Sequence, residues 1–156
     1  MPTSNFALVE RAPQPAVVVR RTVKPQDIGQ VLAEILPAAF GWAGAHGLTP
    51  AGAPFVRYLQ MDGTAGEFDL EGGVPVDRTV EGDGSVSCVE LPGGTLATAI
   101  YRGPYTGIGE AHQAIRAWIE TQGKTVAGAV WESYITDPGG EPDSSKWETE
   151  VVYPLA

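Results

Sequence analysis

The chain is poor in cysteine and in basic residues. It contains one cysteine, Cys88, so no disulfide can form within the chain and no group of cysteines can hold a metal ion. Its 10 Lys and Arg stand against 19 Asp and Glu, which gives a net charge of −9. Such a balance repels a phosphate backbone, and nucleic-acid-binding domains usually carry a basic patch. The charge therefore counts against direct binding of DNA or RNA, and it weakly favours a cationic ligand.

Long hydrophobic runs are also missing. The first 15 residues contain no apolar run of signal-peptide length and include Glu10 and Arg11. No segment approaches the roughly 20 apolar residues that cross a bilayer. With 156 residues, of which 43% are hydrophobic, the chain is long enough to build its own core. The sequence therefore predicts a soluble, cytoplasmic protein with no membrane partner.

Hydrophobic patterns predict seven strands and two helices. Apolar residues spaced i, i+3, i+4 and i+7 predict helices at residues 28–43 and 105–121. β-branched or alternating segments predict strands at residues 16–23, 54–61, 66–76, 85–91, 95–102, 130–136 and 147–153. Glycine- and proline-containing segments predict turns at residues 62–63 and 137–140, and a hairpin at residues 92–94.

The order of these elements repeats, and so do some of the residues. Residues 47–58 and 123–134 are offset by 76 and are identical at 6 of 12 positions, and the same offset places Trp42 on Trp118. The sequence therefore predicts one α+β domain of two β-α-β-β halves, at about residues 1–80 and 81–156. We expect both helices on one face of an antiparallel sheet and a ligand groove at the pseudo-twofold. No residues are left for a helix-turn-helix.

Three segments carry a resemblance to a known family: YRGPY at residues 101–105, WESYITDP at 131–138 and WETEVVYPL at 147–155. The chain resembles the GyrI-like small-molecule-binding domains, which also serve as effector-binding domains of AraC-type and MerR-type multidrug regulators. The resemblance implies a duplicated β-α-β-β fold and an aromatic-lined pocket with one acidic residue on a central strand. In the regulators this acid pairs with cationic aromatic drugs, and Glu132 is the matching residue.

Glu132 also stands out from the repeat itself. Its counterpart in the first half is Val56, so an apolar side chain fits this place in the scaffold. A charge at such a place is costly unless it is paired or functional. Two other interpretations remain open: a solvated sheet face, or an ion pair with Arg57 or Arg102. On a strand, Glu132 and Tyr134 lie on the same face and can point into one site.

Aromatic side chains are the other candidate ligand contacts, because flat rings stack on aromatic ligands and attract cations. The candidate ligand-binding residues are Tyr58, Tyr105, Trp118, Glu132, Tyr134, Trp147 and Tyr153. Since Trp42 and Trp118 occupy equivalent helix positions, Trp118 is equally consistent with an ordinary core residue.

Other polar groups have simpler interpretations. His112 and Arg116 are spaced i, i+4 and are typical of a solvated helix face rather than of a metal site. The alternating acids at residues 67, 69 and 71, and at 148 and 150, are typical of solvated strand faces. We expect no metal ion and no organic cofactor.

These observations leave three functions open. The first is stand-alone binding of hydrophobic small molecules, cationic aromatic ones among them. The second, implied by the resemblance, is cofactor-independent hydrolysis of cyclopropane-bearing genotoxic natural products. There Glu132 and Tyr134 would be catalytic, the carboxylate acting on a water and the phenol donating a hydrogen bond. The third is a protein-interaction role like that of gyrase-inhibiting relatives. The oligomeric state is not predicted.

Overall fold

The computed structural model describes residues 3–60, 67–137 and 140–156. In these ranges the fold is α+β, as predicted, with eight strands and two α-helices. In chain order the elements are β1 (Thr3–Arg11), β2 (Gln14–Val23), α1 (Ile28–Ala45), β3 (Phe55–Gln60), β4 (Phe68–Pro75), β5 (Ser87–Leu91), β6 (Gly94–Arg102), α2 (Ile108–Thr121), β7 (Val130–Tyr134) and β8 (Glu148–Pro154). By contacts the chain divides into two compact units. Unit 1 contains β1 and the residues from Gly93 to Ala156, and unit 2 is Pro13–Pro92.

Unit 2 is a four-stranded antiparallel sheet with one helix against it. Its strands pair in the order β3-β4-β2-β5. Helix α1 packs against β2 and β4. It buries Ile35, Ala39 and Ala43, which recur every four residues and so lie on one face of the helix. This face meets the buried valines of β2, which form the core of the unit.

Unit 1 repeats this plan with strands in the order β1-β6-β8-β7, again antiparallel. Helix α2 packs against β6 and β1. It buries Ala111, Ile115 and Ile119, also four residues apart. The core cluster of the unit joins these side chains to small residues of β6 and to Val151 and Tyr153 of β8.

The predicted hairpin at residues 92–94 is wrong. β5 pairs with β2, whereas β6 pairs with β1 and β8, so the two flanking strands do not pair with each other. Strand β1 was not predicted. Each unit therefore takes its edge strand from the other half of the sequence, and the units do not coincide with the halves at about 1–80 and 81–156. The predicted turn at residues 62–63, and Pro138 and Gly139 of the other turn, lie outside the described residues.

One described helix, Pro25–Ala45, is long and apolar enough to cross a bilayer by length and composition alone. This corrects the expectation that no segment reaches such a length. The core helix of a domain passes the same test. α1 packs against β2 and β4 through the face that carries its buried residues, Ile35, Ala39 and Ala43.

Candidate functional site

Glu132 lies inside unit 1, on the sheet face that α2 covers. The register places Glu132 of β7 opposite Val151 of β8, which is in turn opposite Ala99 of β6. Val151 and Ala99 belong to the core cluster beneath α2. Glu132 is 4% exposed. A solvated position is therefore excluded, and the carboxylate needs polar partners at this depth.

Both oxygens of Glu132 have such partners. Nε2 of His112 on α2 lies 2.6 Å from Oε2, and the Tyr134 hydroxyl donates to Oε1 at 3.0 Å. Glu132 and Tyr134 are thus in contact on one face of β7, as strand alternation predicts. The prediction that His112 lies on a solvated face is wrong, since its side chain is 13% exposed and reaches from the helix to the sheet.

His112 extends this network to β8. Its Nδ1 lies 2.7 Å from the Tyr153 hydroxyl, and Arg116 Nη1 donates to the same hydroxyl at 3.1 Å. The simplest assignment uses each hydrogen once: Arg116 donates to Tyr153, Tyr153 donates to Nδ1, and Nε2–H donates to Glu132. Burial raises the pKa of the Tyr153 phenol, with nearby Arg116 acting in the opposite direction, so the phenol keeps its proton at neutral pH.

Three aromatic rings adjoin the carboxylate. The Tyr105 ring lies 5.3 Å from that of Tyr134 and 5.0 Å from that of Trp147, measured between centroids. Trp147 is held by its indole N–H, which donates to the carbonyl of Glu141 at 2.7 Å. Burial raises the pKa of Tyr105, and the negative charges of Asp137 and Glu132 add to this effect. Tyr105 is thus within electrostatic reach of Glu132.

The YRGPY segment explains how Tyr105 is positioned. The Tyr101 hydroxyl donates to the carbonyl of Pro104 at 2.7 Å, so its ring lies under the 3₁₀ turn Tyr105–Gly107. Gly107 fits against that ring only because it lacks a side chain, since a Cβ there would lie 2.3 Å from the Tyr101 oxygen. Gly103 has a φ of +144° and donates to the carbonyl of Trp147 at 2.8 Å. The segment therefore fixes Tyr105 and Trp147 together.

Two further predicted aromatics each have a ring contact within their own unit. Trp118 stacks on Phe6 at 5.8 Å and packs against the core cluster of unit 1. Tyr58 belongs to unit 2, where its ring meets Phe68 edge to face at 6.2 Å. The described contacts thus connect Tyr105, Glu132, Tyr134, Trp147 and Tyr153, and they add His112 and Arg116, which sequence reasoning did not select.

The sequence did contain a signal for His112. It lies four residues after Ile108 and three before Ile115, on the apolar stripe of α2. At the repeat offset of 76 its counterpart is Leu36. A histidine that replaces a leucine on a buried helix face needs a polar partner, in the same way as a glutamate that replaces a valine.

Unit 2 contains a separate buried ion pair. Glu71 is 5% exposed, and its Oε1 accepts a hydrogen bond from Arg57 Nε at 2.8 Å, with Arg57 Nη2 at 2.6 Å. The interpretation of residues 67–71 as a solvated acidic stripe is therefore wrong for Glu71. Arg57, which one interpretation paired with Glu132, is bound to Glu71. Among the described residues no group of three or more His, Cys, Asp or Glu side chains is arranged to hold a metal ion.

Comparison with known proteins identifies relatives of the whole chain. The family model of the GyrI-like small molecule binding domain matches residues 4–156. The crystal structure of the EcmrR C-terminal domain is similar with a TM-score of 0.85 at 25% identity, over 98% of each chain. In the cryo-EM structure of EcmrR with DNA the likeness has the same TM-score and identity, and this chain spans 58% of the length of that chain.

More distant structures share the fold alone. A hydrolase encoded by lin2189 from Listeria innocua has a TM-score of 0.65 at 12% identity, over 99% of this chain and 93% of that chain. SAV2435, in a structure with bound tetraphenylphosphonium, has a TM-score of 0.64 at 14% identity, over 97% and 94% of the two chains. The search of curated proteins found no match.

Proposed function

Because the chain belongs to the GyrI-like small-molecule-binding domain family, we propose that it binds hydrophobic aromatic cations beside Glu132. The observation that carries this proposal is a carboxylate, 4% exposed, next to the linked rings of Tyr105, Tyr134 and Trp147. The binding residues in this proposal are Glu132 and these three aromatics, with Tyr153 behind them through His112.

The carboxylate and the rings favour the same class of ligand. A charge in a site shielded from water interacts more strongly with an opposite charge than it does at the surface. The faces of Tyr and Trp rings attract cations, by about 0.5–2 kcal/mol for each contact. A phosphonium or quaternary ammonium ion donates no hydrogen bond, so it can approach Glu132 without replacing the bonds from His112 and Tyr134. Aromatic substituents on the cation would pack on the rings.

The test compares tetraphenylphosphonium binding by the wild type and by Glu132→Gln, using calorimetry. Glutamine keeps the size of the side chain and removes its charge, so we expect affinity to fall about tenfold or more, which corresponds to about 1.4 kcal/mol. The matched control is Glu150→Gln. Glu150 is on the neighbouring strand β8, faces the other side of the sheet and pairs with Arg11 at 3.0 Å. Equal affinity in the wild type and Glu132→Gln would contradict the proposal.

A second candidate is hydrolysis of cyclopropane-bearing genotoxic compounds without a cofactor. The observation that favours it is the group of carboxylate, imidazole and phenol at Glu132, His112 and Tyr134. Glu132 would take a proton from a water, whose oxygen opens the ring. Tyr134 would turn its hydroxyl hydrogen from Glu132 to the substrate carbonyl that gains the electrons. Such general-base assistance is worth roughly 10²–10⁴-fold. Multiple turnovers that are lost in Glu132→Gln support this candidate, and stoichiometric binding without product excludes it.

A further inference from the structure

We propose that the Thr149 hydroxyl donates a hydrogen bond to the ligand, so that the site prefers aromatic cations that also carry an acceptor oxygen, such as a carbonyl. Thr149 is then a specificity-determining residue of the same site as Glu132. The inference rests on the proposed function, because it requires the ligand to bind at the rings that adjoin Glu132.

The buried hydroxyl of Thr149 is the observation that points to the ligand. The residue is 0% exposed, and its Oγ1 has no hydrogen-bond partner in the part of the chain that the structure describes. Buried polar side-chain atoms nearly always have a partner. A buried hydroxyl hydrogen without an acceptor costs the desolvation of the group, and a ligand that supplies the acceptor recovers this cost.

The phenols on either side of Thr149 have their own partners. The register places Tyr101 of β6 and Tyr134 of β7 opposite Thr149. The Tyr101 hydroxyl donates to the carbonyl of Pro104, and the Tyr134 hydroxyl donates to Glu132. Both neighbouring hydroxyls are therefore held in positions from which neither bonds to Thr149.

Thr149 is next to the rings of the proposed site. Tyr134 is opposite it in the sheet, and Trp147 is two residues earlier in the chain. The Tyr105 ring contacts both of their rings, at 5.3 Å and 5.0 Å between centroids. A ligand ring that takes the place of the Tyr105 ring against Tyr134 and Trp147 comes next to the Thr149 hydroxyl. This requires the Tyr105 side chain to turn aside, and such rotations are common on binding.

Thr149 is also suitably spaced from Glu132. Glu132 is opposite Val151, which is two residues after Thr149, so Glu132 and Thr149 are diagonal neighbours on one face of the sheet. Diagonal neighbours are about 7–8 Å apart. One small molecule can therefore place its cation beside Glu132 and an oxygen at Thr149, for example an oxygen carried at the para position of a phenyl ring on phosphorus.

The repeat shows that the fold does not need a hydroxyl at this place. In unit 2 the residue opposite Tyr58 is Leu70, as Thr149 is opposite Tyr134 in unit 1. Leu70 is 0% exposed, so an apolar side chain fills this place in the scaffold. A threonine there has a polar group that the packing of helix on sheet does not use, which favours a role in binding.

The experiment compares two phosphonium ions of the same shape. (para-Acetylphenyl)triphenylphosphonium carries a carbonyl oxygen where (para-isopropenylphenyl)triphenylphosphonium carries a methylene group. Calorimetry measures both dissociation constants for the wild type, Thr149→Val and Thr149→Ser. We expect the wild type to bind the acetyl compound about fivefold or more tightly than the isopropenyl compound. Thr149→Ser keeps a hydroxyl and should keep this preference, whereas Thr149→Val should bind the two compounds equally.

The matched control is Thr98→Val. Thr98 is 6% exposed on the neighbouring strand β6, and its register partner Val152 is on the other face of the sheet from Thr149. This variant should keep the wild-type preference. A Thr149→Val variant that keeps the preference would overturn the proposal, and so would its loss in Thr98→Val. A wild type that binds both compounds equally would also overturn it, and that result depends on no variant.

Infrared spectroscopy detects the hydrogen bond itself. With an isotope-labelled carbonyl, the C=O stretch of the bound acetyl compound should lie at lower frequency in the wild type than in Thr149→Val, and equal frequencies would overturn the proposal. Failure of the proposed function has a different result: Glu132→Gln then binds tetraphenylphosphonium, which has no acceptor oxygen, as the wild type does. If only the inference about Thr149 fails, tetraphenylphosphonium binding still depends on Glu132.

Discussion

The two units share one plan and differ in what lies between helix and sheet. In unit 2 the place of Glu132 is taken by Val56, that of His112 by Leu36, and that of Val151 by Gly72, which is opposite Val56. A Cβ on Gly72 would lie 2.8 Å from Ile35 Cδ1 and 3.2 Å from Leu36 Cδ2, so α1 packs closely on β4. At this place between helix and sheet, unit 2 thus has apolar contacts, whereas unit 1 has a buried carboxylate.

The buried acids of the two units also have different partners. Glu71 of unit 2 is paired with Arg57, whose guanidinium is charged at any pH that the fold survives. Glu132 of unit 1 has the His112 imidazole and the Tyr134 hydroxyl as partners. The Glu71–Arg57 pair is internally neutral and suits a structural role. The Glu132 carboxylate has an imidazole and a phenol as partners instead of a guanidinium, which suits the proposed role in ligand binding.

The largest expected effect is that of Gly73→Ala, which disturbs the packing of β4 against β2 in unit 2. A Cβ at this position would lie 1.8 Å from the carbonyl oxygen of Val17, a backbone atom that cannot turn aside. Its counterpart in unit 1, Val152, carries a side chain and is fully buried. We expect Gly73→Ala to lower the free energy of unfolding by more than about 4 kcal/mol, measured in urea. The control, Gly84→Ala, has no atom within 4 Å of its new Cβ and should stay close to the wild type.

Unit 1 can be converted toward unit 2 with His112→Leu and Glu132→Val. His112→Leu leaves the buried carboxylate without its nitrogen partner, and we expect a cost of about 3–5 kcal/mol. Glu132→Val leaves the imidazole N–H and the Tyr134 hydroxyl without their acceptor, at about 1–3 kcal/mol. The double variant removes both partners of the His112–Glu132 contact and replaces them with side chains like those of Leu36 and Val56, so it should cost clearly less than the sum of the two single variants. Urea unfolding of all four proteins measures the coupling, and additive costs would contradict the comparison.

The sequence predicts the elements that follow from local patterns, and it does not predict the pairing of strands that are distant in the chain. Both helices and most strands follow from local hydrophobic periods, and α2 was predicted to end at Thr121, where it ends. The pairing of β5 with β2 and of β1 with β6 is not local. The two strands on either side of residues 92–94 are close in sequence, and their residues are equally suited to a hairpin. Nothing in their pattern indicates that each joins a strand about 70–100 residues away.

Only part of the candidate site could be predicted, because its residues lie on elements that are distant in the sequence. Glu132 is recognisable as a candidate because the equivalent residue in the first half of the repeat is the apolar Val56. Tyr134 is a candidate because alternate residues of a strand lie on the same face. The i, i+4 spacing from Arg116 favours a solvated face for His112, whereas the spacing from Ile108 and Ile115 places it on the apolar stripe of α2. The two polar residues lie on different elements, α2 and β7, so only the fold shows that they meet.

Alkaline pH should affect unit 1 through its buried phenols. Burial raises the pKa values of Tyr101, Tyr105 and Tyr153 above their ordinary value. In the folded state these groups keep their protons at a pH where the unfolded chain loses them. Their contribution to stability is therefore present below about pH 10 and is lost as pH rises through the raised pKa values. We expect the melting temperature to fall above about pH 10, and to fall less steeply in Tyr153→Phe. An identical slope would contradict the raised pKa of Tyr153.

The smallest expected effect concerns Thr149, which lies opposite Tyr134 at the place where unit 2 has Leu70. Its side chain is fully buried, and its hydroxyl has no hydrogen-bond partner among the described residues. Leu70 is equally buried and has no hydroxyl to satisfy. An unpartnered buried hydroxyl costs about 1–3 kcal/mol, so Thr149→Val should raise the free energy of unfolding by about 1 kcal/mol.

Thr149→Val also sharpens the comparison when ligand binding is measured on the same protein. A gain in stability with unchanged tetraphenylphosphonium affinity means that the hydroxyl contributes nothing to recognition of this cation. A gain in stability with weaker binding of a neutral, carbonyl-bearing ligand means that the hydroxyl receives its partner from the ligand. A loss of stability would contradict the argument, because it would mean that the hydroxyl is satisfied within unit 1. Each result therefore shows whether the buried hydroxyl of Thr149 contributes to ligand binding or to the stability of unit 1.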